Sequence, residues 1–162
     1  MTDFEQRLQK AIERGRRASD ARAQAEAQKA LSEQELRGLH TQYRLELSEH
    51  IEQCLGKLAQ CFPGFRLETV VSERGWGAAI SRDDAGAEWP RSRENFYSRL
   101  EVLIRPVAEF FVLEMVAKGT VRNKEYLNRS HFQKLAEVDL DSFIELADRW
   151  ALEYAELYAA KS

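Results

Sequence analysis

Cysteine is scarce in this chain of 162 residues: Cys54 and Cys61 are the only two, so a disulfide framework is excluded. No apolar stretch near Met1 resembles a signal peptide, and the cytoplasm is the expected location. Proline is as rare, and its three positions, Pro63, Pro90 and Pro106, mark a helix end, a loop and a strand end. Long apolar runs are missing as well. The longest, from Val107 to Ala117, is interrupted by Glu109 and Glu114, which is too short and too charged to span a membrane. No internal repeat of 20 to 50 residues is present. Ser, His and Asp occur, but no Gly-x-Ser-x-Gly context surrounds any serine. Gly75-Trp76-Gly77 lacks the further glycine, lysine and helix start of a phosphate cradle, and reads instead as a tight turn with a tryptophan folded onto a sheet.

What is present is an ordinary globular composition, 44% hydrophobic and 31% charged, with one segment whose start, period and stop are all legible. Ser32 and Glu35 have capping-box spacing, and Leu31 with Leu36 has that of a hydrophobic staple. From there Leu36, Leu39, Tyr43, Leu47, Ile51, Leu55, Leu58 and Phe62 recur every three or four residues, the stripe of an amphipathic helix ended by Pro63-Gly64. Leu36, Leu47 and Leu58 repeat at eleven, which slightly favours a straight or right-handed path. A helix over 32–62 is roughly 45 Å long, whereas a strand of about eight residues spans roughly 27 Å. The stripe therefore outruns its own sheet. Burial against a second copy is the expected solution, with Leu36, Leu39, Tyr43, Leu47, Ile51, Leu55 and Leu58 as the self-association residues of a homodimer; the alternative is that the extra length curls over the chain's own C-terminal helix.

Upstream, Thr2 and Glu5 repeat the capping-box spacing, and Phe4, Leu8 and Ile12 form a short stripe that fades after Gly15. Between Arg16 and Ala30 the sequence is alanine with charges and glutamine, favourable for helix; residues 1–31 read as a charged, Ala-rich helical arm. Downstream, Phe65 to Ser72 alternates as a half-buried strand, and Ala78 to Ser81 returns as the other side of a hairpin. Asp83 to Asn95 reads as a loop and Phe96 to Ile104 as a third strand. Phe110 to Ala117 is apolar on both parities, as a strand buried on both faces is; a helix is the alternative, with Pro106 at its first turn and Gly119 just past its end. Lys118-Gly119 then reads as a tight turn into Val121–Leu127, Ser130 to Gln133 as a helical turn, and Asp139 as the cap of a last helix over 139–160, with Val138 and Phe143 as its staple. The expected fold class is α+β: a long N-terminal helix (32–62), an antiparallel meander of four to five strands (65–127) and a C-terminal helix packed on the sheet, one domain over 32–162.

Chemistry-bearing candidates are few. His50 and Cys54 have the helical spacing of two metal ligands, yet Cys61 lies roughly 10 Å further along the helix. A metal there needs a donor from His131 or a second chain. Both cysteines fall on or beside the apolar stripe, where a thiol acts as a small hydrophobe. Asp83-Asp84 suits a turn, and Asp139 with Asp141 suits a helix start; neither pair shows the divergent environments that acid–base catalysis needs. No cofactor and no metal is expected.

Charge is unevenly placed. Residues 1–62 hold ten basic and ten acidic side chains, 63–134 twelve and ten, and 135–162 two and seven. The early cations Arg7, Lys10, Arg14, Arg16, Arg17 and Arg22, set against Glu13 and Asp20, are candidate nucleic-acid contacts, as are Arg91, Arg93, Arg99 and Arg105 interleaved with Phe96 and Tyr97. The leading expectation is a non-enzymatic cytoplasmic binding or assembly protein (adaptor, chaperone-like module or structural subunit) that partners itself and another protein and has no membrane segment. Nucleic-acid binding is the alternative, and an enzyme of unrecognised type the second alternative.

Overall fold

The computed structural model describes residues 2–83 and 96–162, leaving aside the side chains of 28–31. Helix α1 runs Asp3–Cys61, followed by β1 (Arg66–Ser72), β2 (Gly75–Asp83), β3 (Tyr97–Ile104), β4 (Val112–Val121), β5 (Lys124–Lys134), a single 3-10 turn (Leu135–Glu137) and helix α2 (Leu140–Lys161). The chain divides into two compact units, Met1–Gly38 and Leu39–Ser162.

In the first unit, the Glu5 amide donates to Thr2 Oγ1 at 3.3 Å, the N-cap bond that the Thr2–Glu5 spacing calls for. No helix start exists at Ser32, which lies inside α1. The alanine-rich run upstream has high helix propensity and no proline, and Gly15 costs only about 1 kcal/mol; nothing interrupts the helix there. The expected staple partner Leu31 has its side chain outside the described residues. From Thr2 to Ala27 every side chain is exposed.

In the second unit the sheet is a simple antiparallel meander in the order β1-β2-β3-β4-β5. Its helix-facing rows are Trp76–Ile104–Met115–His131, Ala78–Val102–Ala117–Arg129 and Ile80–Leu100–Gly119–Leu127. Both helices cover this one face. On α1, Leu47, Ile51, Leu55 and Leu58 are buried, and on α2, Phe143, Ala147, Trp150, Ala151, Tyr154 and Tyr158 are buried. Around the core, His40 Nε2 donates to the Arg105 carbonyl (3.0 Å) and Thr69 Oγ1 donates to Glu52 (2.9 Å), which fastens α1 at both sides of the sheet.

Four sequence expectations in the sheet need correction. Strand β4 continues through Lys118-Gly119, and the β4–β5 turn is Arg122-Asn123, both at positive φ (47° and 73°), as a two-residue hairpin turn demands. Strand β3 holds that turn: Ser98 Oγ accepts from the Arg122 amide (3.0 Å), and Asn123 Oδ1 accepts from the Tyr97 amide (2.9 Å). Ser130 to Gln133 is strand within β5, not a helical turn, because it pairs with Leu113 to Val116. Gly75-Trp76-Gly77 opens β2; the turn itself is Glu73-Arg74. A Cβ at Gly77 would stand 2.1 Å from the Val102 oxygen, so glycine there admits the neighbouring backbone. Finally, β4 is buried at Leu113, Met115 and Ala117 but only half-buried at Val112, Glu114 and Val116, so its second face is less covered than its apolar run implies. Of the expected loop, residues 84–95, including Asp84, Gly86, Pro90, Arg91 and Arg93, lie outside the described residues.

At Gly119 sheet and helix meet closely. Tyr154 lies over it, with its hydroxyl donating to the Thr120 carbonyl at 2.8 Å, and a Cβ at Gly119 would come within 2.8 Å of the ring. Burial holds the Tyr154 phenol well above its usual range, so it stays a donor at any physiological pH. The ring cannot yield without losing that bond. Gly119→Ala is therefore expected to destabilise the chain by about 1–3 kcal/mol through overpacking, read as a lower urea midpoint with unchanged slope.

Candidate binding groove between the helices

Helices α1 and α2 lie side by side on the sheet, and between their outer surfaces runs a groove of about 580 Å³. Its floor is apolar because the residues that face it belong to the flanks of two core stripes: Leu58 and Phe62 from the α1 side, Ala151, Leu152 and Ala155 from α2. Small alanines on α2 keep the groove open. Phe62 and Phe65 pack edge-on against Tyr158, with centroids 4.8 and 4.9 Å away, and close one end.

At the other end three polar side chains converge. His50 Nε2 donates to Asp148 Oδ1 at 2.8 Å, and Cys54 Sγ donates to the same oxygen at 3.6 Å. The spacing of His50 and Cys54 does bring both to one point, through a carboxylate 94 residues beyond Cys54. The chemistry differs from that of a cysteine nucleophile, which needs a cation or histidine beside its sulfur. Here the sulfur meets an anion. Burial, the Asp148 charge and the bond to Asp148 together push the Cys54 thiol up to about 11, which favours the thiol over the thiolate at neutral pH. His131 sits elsewhere, on β5, edge-on to Phe143 and beside Gln133. Among the described residues, no group of three or more His, Cys, Asp or Glu could hold a metal ion.

The sequence-derived self-association residues divide in two. Leu47, Ile51, Leu55 and Leu58 are 0, 0, 1 and 9% exposed; they belong to the chain's own core, and of these Leu58 also lines the groove between the helices. The alternative reading of the helix length, cover by the chain's own C-terminal helix, describes this part of the stripe, where α2 lies beside α1. Leu36, Leu39 and Tyr43 are half-buried. Of the other candidates, Asp83 is exposed at the end of β2, and Asp139 caps α2 without a side-chain bond. The Asp139 amide is taken by Gln133 Oε1 (2.7 Å), and Asp141 stands in the first turn of α2.

The cations expected to meet nucleic acid are partly engaged. Arg7 pairs with Asp3 (3.1 Å) and Arg17 with Glu13 (3.6 Å), while Lys10, Arg14, Arg16 and Arg22 are exposed. On the sheet face away from the helices, Arg99 is held by Glu68 (2.8 Å) and Glu101 (2.7 Å), and Glu101 also takes both Arg74 nitrogens at 3.2 Å. Arg105 is beside Glu114 at 3.6 Å. Phe96 carries the Arg122 guanidinium at 4.2 Å. These contacts place that face's charges against one another.

Sequence reasoning missed Asp148 as the common partner and His40 as a buried polar anchor. Burial, opposed by the Arg105 carbonyl bond, holds His40 below the usual histidine value, and its ring meets Trp76 edge-on while Arg44 lies over the Trp76 ring at 4.3 Å. Neither partner is near in sequence, so no local spacing could have signalled them.

The chain matches no protein-family model, no curated protein and no solved structure. No helix among the described residues is long and apolar enough to cross a membrane.

The two cysteines are expected to differ sharply toward iodoacetamide. Cys61 is exposed and should label in the native protein at pH 7.5, whereas Cys54 should label only after denaturation. Peptide mapping of the alkylated chain checks this, and native labelling of both thiols at equal rates would contradict the assigned Cys54–Asp148 contact.

Proposed function

We propose that the chain is a non-enzymatic binding or assembly protein of the cytoplasm that associates with itself through its long N-terminal helix. The supporting observation is apolar surface left without cover. Phe4, Leu8 and Ile12 are 71, 48 and 47% exposed and recur every four residues on α1, within a stretch where every side chain from Thr2 to Ala27 faces solvent. Each such side chain gains about 1.5–3 kcal/mol when buried, and a helix without tertiary packing is marginal in water. A second copy, or another protein, laid along this stretch would supply the missing burial. The free thiols at Cys54 and Cys61 fit a reducing compartment. The non-enzymatic reading draws on the Cys54–Asp148 contact, which opposes thiolate formation.

Nucleic-acid binding along the same stretch is a second reading, supported by Lys10, Arg14, Arg16 and Arg22, which are exposed and form no ion pair among the described residues. One variant separates the two. Phe4→Ala/Leu8→Ala/Ile12→Ala keeps every charge and a strong helix propensity. It is expected to lower the solution mass measured by light scattering, relative to the wild-type chain at the same concentration, and to leave any salt-sensitive mobility shift with DNA or RNA unchanged. Equal masses for the two chains would remove this stretch as the self-association surface.

A further inference from the structure

Helix α2 carries a line of side chains with no hydrogen-bond or ion-pair partner among the described residues. Glu145, Arg149, Leu152, Glu156 and Ala159 are all exposed, and their spacings of four and three place them on one face of the helix. Leu152, 70% exposed, stands at the lip of the groove that it shares with Leu58, Phe62, Ala151 and Ala155. Arg149 and Glu156 make no ion pair among the described residues. Neighbouring charges on the same helix are engaged: Glu153 with Arg129, and Lys161 over the Tyr126 ring at 4.5 Å.

The order of these residues is self-complementary. Arg149 and Glu156 flank Leu152 and are about 10.5 Å apart along the axis. If two copies of α2 lie antiparallel about a two-fold axis beside Leu152, Arg149 of each copy faces Glu156 of the other. Glu145 then faces the alanines at Ala159 and Ala160, so no like charges oppose. A parallel pairing sets Glu145, Arg149 and Glu156 each against its own kind, which costs energy at every step. The groove beside Leu152 supplies the apolar complement, since an exposed leucine on one copy meets an apolar slot of about 580 Å³ on the other. An isologous contact of this kind is what two-fold symmetry requires.

We infer that the groove between α1 and α2 is a contact site for a second copy of this chain, entered by Leu152 of an antiparallel α2 and framed by two reciprocal Arg149–Glu156 ion pairs. This rests on the self-association proposed above but uses a different surface from the Phe4–Leu8–Ile12 stripe.

The test is charge reversal in the full chain, with mass followed against concentration by light scattering and folding checked by far-UV circular dichroism. Both residues are exposed, so the variants should fold. R149E and E156R each oppose like charges twice per pair of copies, and should move the association midpoint to about tenfold higher concentration or more. The double variant R149E/E156R restores opposite charges and should return toward wild type. Association unchanged in the single variants, or not recovered in the double variant, would overturn the α2 site. If the wild-type chain associates and no α2 variant alters it, self-association stands and this surface is excluded. A wild-type chain that stays monomeric at every concentration overturns both.

Discussion

The structure depends on one stripe of one helix. Leu47, Ile51, Leu55 and Leu58 recur every three or four residues on α1 and are buried in the chain's own core, where the Leu39–Cys61 portion shares the sheet's helix-facing side with α2. Their burial fixes the entry into β1 through the Pro63-Gly64 turn, and Gly64, at φ 99°, takes a left-handed conformation that suits glycine. It also orients His40 against the Arg105 carbonyl and Glu52 against Thr69. Once α1 is seated, α2 fills the remaining half of the face, with Tyr154 over Gly119. The groove between the helices follows from this packing, because two cylinders on one sheet leave a channel where their outer surfaces diverge.

Placement of charge follows the same layering. On the helical side, Asp148 gathers His50 and Cys54 at the groove's end. On the far side of the sheet, Glu101 is buried beneath Arg74 and Arg99, so a carboxylate at the centre of a strand is tolerated because two guanidiniums satisfy it. Apolar side chains also remain exposed on the sheet and its connections, at Val71, Phe110 and Phe132, but on the helices they fall in line with others: the stripe at Phe4, Leu8 and Ile12, and the Arg149–Leu152–Glu156 line on α2. These two surfaces carry the proposal of self-association.

Much of the fold was legible in the sequence, for identifiable reasons. Period-two alternation exposed β1 and β3, period-3.6 spacing exposed α2 and the core-facing half of α1, and Thr2 with Glu5 marked the start of α1. The β4–β5 turn was misplaced because Lys118-Gly119 carries the obvious turn residue, whereas the true turn puts an arginine at φ 47°. Gly119 is glycine for a different reason, the Tyr154 ring above it. Ser32 resembled a cap but lies mid-helix, where helix propensity on both sides outweighs one local motif. The candidate site was only half legible. His50 and Cys54 stand together by helical spacing, but Asp148, which decides their chemistry, arrives by tertiary packing. Most consequentially, an apolar stripe shows that a face is buried without showing by what, and Leu47, Ile51 and Leu55 read equally well as core or interface until α2 is seen beside them.

The most direct test of this account is Leu47→Asp, with thermal unfolding and solution mass measured on the same sample. Leu47 is 0% exposed, and an unpaired carboxylate there costs more than a typical domain's margin can absorb. The account predicts loss of the cooperative unfolding transition and of native circular dichroism. A cooperatively folded chain of reduced mass would contradict it, placing Leu47 in an interface between copies and not in the core.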